Sequence, residues 1–126
     1  MIQLQTILKV IDNSGAKYAK CIKILGGFKH KFAYTANTVI VSIQRLKNKS
    51  KIISKVKKGD IHKGLIIRTK KRVKKKDGLI TFFDENCVSL INKQNNPIAH
   101  RILGPVPRVL KYGKYSKFAA IAAGFV

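Results

Sequence analysis

The sequence predicts a mainly β fold, a small barrel with a protruding basic β-hairpin and short C-terminal helices, and three observations carry that prediction. Over the first two-thirds of the chain, short β-rich segments are separated by Gly, Asn, Asp and Pro turn signals, the pattern of a barrel rather than of helices on a parallel sheet. Val39, Val41 and Ile43 alternate with Ser42 and Gln44, which is the period-2 signature of a strand with one buried face. Lys70 to Lys76, six cations and one Val, runs into Asp77-Gly78, a dipeptide that tolerates the positive φ of a tight hairpin turn.

The elements follow in order. Leu8 to Ile11 is a β-rich run stopped by Asp12-Asn13-Ser14-Gly15, four residues of turn chemistry. Lys17 to Leu25 forms the next strand and ends at Gly26-Gly27, and the alternating segment around Val39 to Ile43 comes third. Lys47 to Lys58 is Lys, Asn and Ser with an Ile52-Ile53 insert and predicts a long basic loop. β character resumes at Gly64 to Thr69, and residues 64 to 91 are expected to form one long ribbon folding back at a type I′ turn at Asp77-Gly78. Leu79 to Phe83 and Val88 to Ile91 supply its returning strands, and Ile98 to Leu103 one more after the Asn96-Pro97 turn. Past Gly104 the texture changes. Pro107 suits the first position of a helix, and Arg108 to Lys111 and an Ala-rich Tyr115 to Ala123 predict two short helices packed across the barrel. No repeat or linker interrupts the chain, so residues 1–126 are expected to be one domain, barrel to about 103 and helical segment to about 122.

An apolar fraction of 45% is that of a globular protein, whereas 27 Lys and Arg against 5 Asp and Glu leave a formal charge of +22. Self-repulsion on that scale opposes compaction, and a dense polyanion relieves it; nucleic acid is the leading partner. Cys21 and Cys87 are 66 positions apart in apolar surroundings, without CxxC spacing or a nearby His, and predict small buried hydrophobes rather than a disulfide or a zinc site. The longest near-apolar run, Phe118 to Val126, is far below the roughly 20 residues a membrane-spanning helix needs, so no membrane span is expected. Met1-Ile2-Gln3-Leu4-Gln5 has neither a basic start nor a cleavage site, and no targeting segment is expected.

Catalysis needs a constellation, and the candidate residues do not form one. Asp12, Asp60 and Asp77 sit in turn clusters where a short carboxylate accepts backbone hydrogen bonds, and Asp84-Glu85 answers local cations. His30, His62 and His100 lack metal-ligand spacing, and Gly26-Gly27 lacks the phosphate-loop lysine. No catalytic residue, metal, cofactor or small-molecule substrate is expected. The cations remain. Clusters at Lys29-His30-Lys31, Lys47 to Lys51, Lys55 to Lys58 and Lys70 to Lys76 fall in loops or at hairpin ends, where long side chains reach phosphates. A solvated surface normally mixes both signs, and this chain has few acids to mix. Lysines of this kind position a protein on RNA without reading its sequence, which favours recognition of a folded RNA by shape.

Read in order, the residues resemble a known family. Met1-Ile2-Gln3, Gln5-Thr6, Asp12-Asn13-Ser14-Gly15-Ala16, Cys21-Ile22-Lys23 and Leu25-Gly26-Gly27 look like the opening of the bacterial-type large-subunit ribosomal protein fourteen. Lys57-Lys58-Gly59-Asp60, Arg68-Thr69-Lys70-Lys71, Pro97-Ile98, Arg101-Ile102, Gly104-Pro105-Val106 and Lys114-Tyr115-Ser116-Lys117 continue the likeness to about residue 122. The most specific part is a spaced signature. It calls for a small residue, three branched aliphatics, nine or ten free positions, Asp/Asn/Ser-Gly, four more, an aromatic, two more, then Asn or Thr, and Gly64 to Asn86 satisfies it. Departures are Ser89 where the pattern has Val, Ala36-Asn37 where it has a Gly-Asp turn, a longer Lys47 to Lys55 loop and a different ending at Gly124-Phe125-Val126.

The resemblance implies a five-stranded barrel and a structural, non-enzymatic role in the large ribosomal subunit. It implies binding to large-subunit rRNA, contact with small-subunit rRNA across the subunit interface, neighbouring large-subunit proteins as partners, and a face on which a ribosome silencing factor can dock. Lys17, Lys23, Lys29, Lys31, Lys57, Lys58, Arg68, Lys70, Lys71, Arg72, Lys74, Lys75 and Lys76 are the candidate rRNA-binding residues. Arg101, Arg108, Lys114 and Lys117 are the candidates for the subunit interface and protein partners. A free OB-like binder of single strands is the alternative, which stacking aromatics on one sheet face would distinguish; Phe28, Phe32, Tyr34, Phe82 and Phe83 are dispersed in sequence. A metal-dependent nuclease would need clustered carboxylates. Heavy use of Lys, Ile and Asn fits an AT-rich genome and an organelle-encoded protein of the mitochondrial matrix, with a bacterial cytoplasm or a plastid as the alternative.

Overall fold

The computed structural model describes residues 1–47 and 54–126, so half of the expected Lys47 to Lys58 loop, including Ile52-Ile53, lies outside the described residues. Five strands close a barrel: β1 (Ile7–Val10), β2 (Ala16–Ile24), β3 (Thr38–Leu46), β4 (Ile61–Arg68) and β7 (Cys87–Ile91). Neighbours pair antiparallel except at the seam, where β1 and β7 run parallel with Lys9 opposite Cys87 and Val10 opposite Val88. Between β4 and β7 the chain leaves the barrel as a ribbon, β5 (Val73–Lys74) paired with β6 (Ile80–Thr81). Beyond β7, β8 (Ile102–Val106) is followed by 3₁₀ turns at Arg108–Lys111 and Gly113–Tyr115, helix α1 (Ser116–Ala120) and β9 (Ala122–Phe125).

Burial explains why the strands read differently. In β3, Val39, Val41 and Ile43 point into the barrel while Ile40, Ser42 and Gln44 do not, as the alternation predicts. β4 and β7 lie between two apolar layers: Ile66, Val88 and Leu90 join the barrel interior, and Leu65, Ile67, Cys87 and Ile91 join a second layer with Ile102, Val106, Leu110 and Phe118. A strand covered on both faces has no polar face, hence the uninterrupted Leu65-Ile66-Ile67 and the wholly buried β7. Gly64 is small because a Cβ there would come within 2.5 Å of Val88 Cγ2. Cys21 and Cys87 are free and buried, and burial pushes both thiols up from their ordinary pKa.

Four local expectations need correction. The long ribbon of residues 64 to 91 is split: β4 and β7 belong to the barrel wall, and only the segment between them protrudes. Its turn is not type I′. Gly78 alone has positive φ (83°), and Gly78 N–H to Lys75 O (3.1 Å) with Lys75 N–H to Leu79 O (2.8 Å) makes the three-residue hairpin of a type I turn plus a left-handed glycine. The C-terminal helices are shorter than composition suggests. Pro107 precedes a 3₁₀ turn, and after Ile121 the Ala-rich tail extends into β9, parallel to β8, with Val126 N–H to Val106 O and Arg108 N–H to Val126 O both at 3.0 Å. Pairing with β8 overrides the weak helical preference of alanine. β8 starts at Ile102 rather than Ile98 and carries Gly104 at φ 78°.

Two departures from the family pattern acquire a physical account. Ser89 is fully buried and its hydroxyl donates to Asp12 Oδ2 (3.3 Å). Asp12 is itself buried; its Oδ2 also accepts Leu90 N–H (2.8 Å), and its Oδ1 accepts Ser14 N–H (3.1 Å) and the Ser14 hydroxyl. The β1–β2 turn is thereby tied to the middle of β7. Tyr34 to Asn37 is a turn closed by Asn37 N–H to Tyr34 O (3.1 Å), with Ala36 at φ 70° in its third position, where glycine is favoured. Left-handed backbone costs an L-residue roughly 1–2 kcal/mol. Ala36→Gly is therefore expected to raise the unfolding free energy by about 1 kcal/mol after the entropy of the freer unfolded chain is subtracted, read from urea denaturation.

Candidate nucleic-acid interface

The strongest concentration of charge stands on the ribbon. Lys70, Lys71, Arg72, Lys74 and Lys76 are exposed and Lys75 half-buried, on a two-strand element held at its base by Lys70 N–H to Asn86 Oδ1 (2.9 Å) and Phe83 N–H to Thr69 O (3.2 Å). Asp77 at the tip is the sole acid between residues 61 and 83. The barrel adds Lys17 and Lys23, exposed on β2, Lys29 and Lys31 in the β2–β3 connection, and Lys57 and Lys58 in the turn before β4. Asp60 shapes that last turn by accepting Lys57 N–H at 2.9 Å. Among the described residues one Lys or Arg is within ion-pair distance of a carboxylate, Lys9 with Glu85 at 2.7 Å, and this contact raises the Lys9 pKa chiefly through its hydrogen bond.

Several cations lie over aromatic rings: Lys71 over Tyr34 (4.8 Å to the centroid), Lys29 over Phe28 (5.3 Å) and Arg72 over Phe82 (5.4 Å). Phe28 is 90% exposed, and Phe82 and Tyr34 are also exposed. Rings dispersed in sequence are not a strip on one sheet face but separate ring-and-cation pairs, each an aromatic ring beside a positive charge. The sequence signal for such pairs was adjacency for Lys29 with Phe28. For Lys71 with Tyr34 there was none, because the two come from different segments.

Arg68 is also engaged within the chain. Its guanidinium turns inward, donating from Nε to Pro105 O (2.8 Å) and from Nη2 to Leu103 O, and lies 6.0 Å from the Phe83 ring centroid. These bonds make it a strut between β4 and β8. In the segment before β8, Lys117 Nζ donates to Asn96 Oδ1 (2.7 Å) and Arg101 N–H, with His100 N–H, is held by Asn13 Oδ1 (3.3 and 3.1 Å). The connection from β7 to β8 thus presents Arg101 exposed, with Lys117 anchored to its other end. Arg108 and Lys114, on the two 3₁₀ turns, are exposed as well.

Among the described residues no group of three or more His, Cys, Asp or Glu could hold a metal ion, and no helix is long and apolar enough to cross a membrane. What the surface does offer is cation density on a rigid barrel, an arrangement suited to a polyanion. The family model for ribosomal protein L14p/L23e matches residues 1–126. With the closed five-stranded barrel and its ribbon in place, that match over the whole length means that the chain belongs to the ribosomal protein L14p/L23e family, a protein of the large ribosomal subunit.

Proposed function

We propose that residues 1–126 work as one rRNA-binding unit of the large subunit, with the ribbon and the barrel-loop lysines against large-subunit rRNA. The observation that carries this reading is the ribbon itself, six cations on a short element with a single acid at its tip. The lysines hold phosphates, and shape selects the RNA. Arg101, Arg108, Lys114 and Lys117 then belong to a C-terminal face directed at small-subunit rRNA and neighbouring proteins. A silencing factor that covered Arg101 and Lys117 would block subunit joining. The role is structural and needs no cofactor. The composition supports an organelle-encoded protein of the mitochondrial matrix, and a coding sequence in nuclear DNA would exclude that origin.

Sedimentation through sucrose gradients tests the central claim. The protein is expected to travel with the large subunit at low magnesium and moderate salt, and to leave it only as salt is raised. Protein remaining at the top of the gradient under associating conditions would end the proposal.

A further inference from the structure

A cleft opens at the base of the ribbon, where the Tyr34 turn, the ribbon strands and the start of the first 3₁₀ turn meet. It encloses about 290 Å³ and its lining is mostly apolar, from the rings of Tyr34 and Phe83 and the side chain of Val109. Lys71 and Lys75 bring the positive charge, with Lys71 Nζ 4.8 Å from the Tyr34 centroid, and the remaining polarity comes from threonines such as Thr81. None of the five acids lines it. A ligand suited to this site has a flat apolar part and an anionic part, set a few ångströms apart. We propose that the cleft takes one unpaired nucleotide of RNA, its base against Tyr34 and Phe83 and its phosphate at Lys71 and Lys75.

This inference rests on the rRNA-binding reading and adds to it a specific contact. Ribbon lysines alone hold a backbone by charge, an interaction that falls steeply with salt. A base in an apolar cleft adds stacking, which is sequence-tolerant because every base has a π face. The threonine hydroxyls fit that tolerance, since each can donate or accept. The cleft therefore selects a nucleotide displaced from a helix, not a particular letter.

The test compares the full chain with Tyr34→Leu and Tyr34→Phe in equilibrium binding to a large-subunit rRNA transcript across a salt series. Stacking on one base contributes about 1–3 kcal/mol, so Tyr34→Leu should weaken binding roughly 5- to 150-fold with an unchanged salt slope, and Tyr34→Phe should bind like the parent. Because the Tyr34 backbone N–H makes the turn's bond to Asn37 Oδ1, that bond survives in both variants. Wild-type affinity for Tyr34→Leu would overturn the nucleotide site while leaving the ribbon reading intact, provided the ribbon lysines still set the salt slope. Failure of the parent chain to bind the transcript would remove both. A measurement independent of any variant is ultraviolet crosslinking of intact large subunits followed by peptide mass spectrometry. Nucleotide adducts on the Tyr34 or Phe83 peptides are expected; adducts elsewhere on the chain with none at these two would refute the site, as would a neighbouring protein's side chain crosslinked in the cleft.

Discussion

Asp12→Ala is expected to lower the unfolding free energy by about 4 kcal/mol, because it strands buried donors on two segments at once. The Leu90 and Ser14 N–H groups and the Ser14 and Ser89 hydroxyls all point at this carboxylate, and Ser14, Ser89 and Leu90 are fully buried. Each backbone donor left without a partner costs roughly 1–3 kcal/mol. Against a total stability of about 5–15 kcal/mol for a domain, the loss brings the chain near its unfolding threshold. Asp12→Asn should recover only part of it, since an amide supplies one acceptor where two are used and turns its NH₂ toward another donor. Urea denaturation of the two variants and of Ser89→Ala gives the comparison. A loss under about 1 kcal/mol for Asp12→Ala would mean that the network is not worth what the unpaired donors imply.

The second large effect concerns RNA. Replacing Lys70, Lys71, Lys74 and Lys75 together by Gln removes four charges from the ribbon without changing side-chain length greatly. Each phosphate contact contributes about 0.7–0.9 to the slope of log affinity against log salt, so the slope should fall by about three and affinity at low salt by roughly a hundredfold. Stability should change little, or rise, because three of the four side chains are exposed and all stand among like charges. Filter binding to the rRNA transcript at several salt concentrations measures slope and affinity together. An unchanged slope would place the RNA elsewhere on the surface.

Where local chemistry settles local structure, the sequence was readable. The alternation around Val41 predicts β3, Gly78 predicts a hairpin, and the spaced signature from Gly64 to Asn86 carries the family resemblance. What escaped depends on partners far along the chain. Asp12 looks like an ordinary turn carboxylate until β7 places Leu90, 78 positions on, against it. Arg68 reads as one more cation in a basic run, and its bonds to carbonyls 35 and 37 positions downstream are invisible there. The Ala-rich tail has helical composition, and only its register with β8 makes it a strand. Lys71 over Tyr34 is likewise a product of closure, invisible to any window that covers one of the two.

The parallel seam between β1 and β7 also bears on how the chain reaches its fold. β1 to β4 form a meander of sequence neighbours, each strand able to add to the one before as the chain emerges. The seam instead joins Lys9 to Cys87, and bringing ends so far apart together costs roughly 4 kcal/mol of chain entropy before any contact rewards it. Closure therefore waits for β7 to be synthesised, and until then the open edge of β1 is exposed on a highly charged chain. Lys9 stands on that edge and Glu85 arrives with β7, so the opposite-charge pair is located where the two distant parts of the chain must find each other.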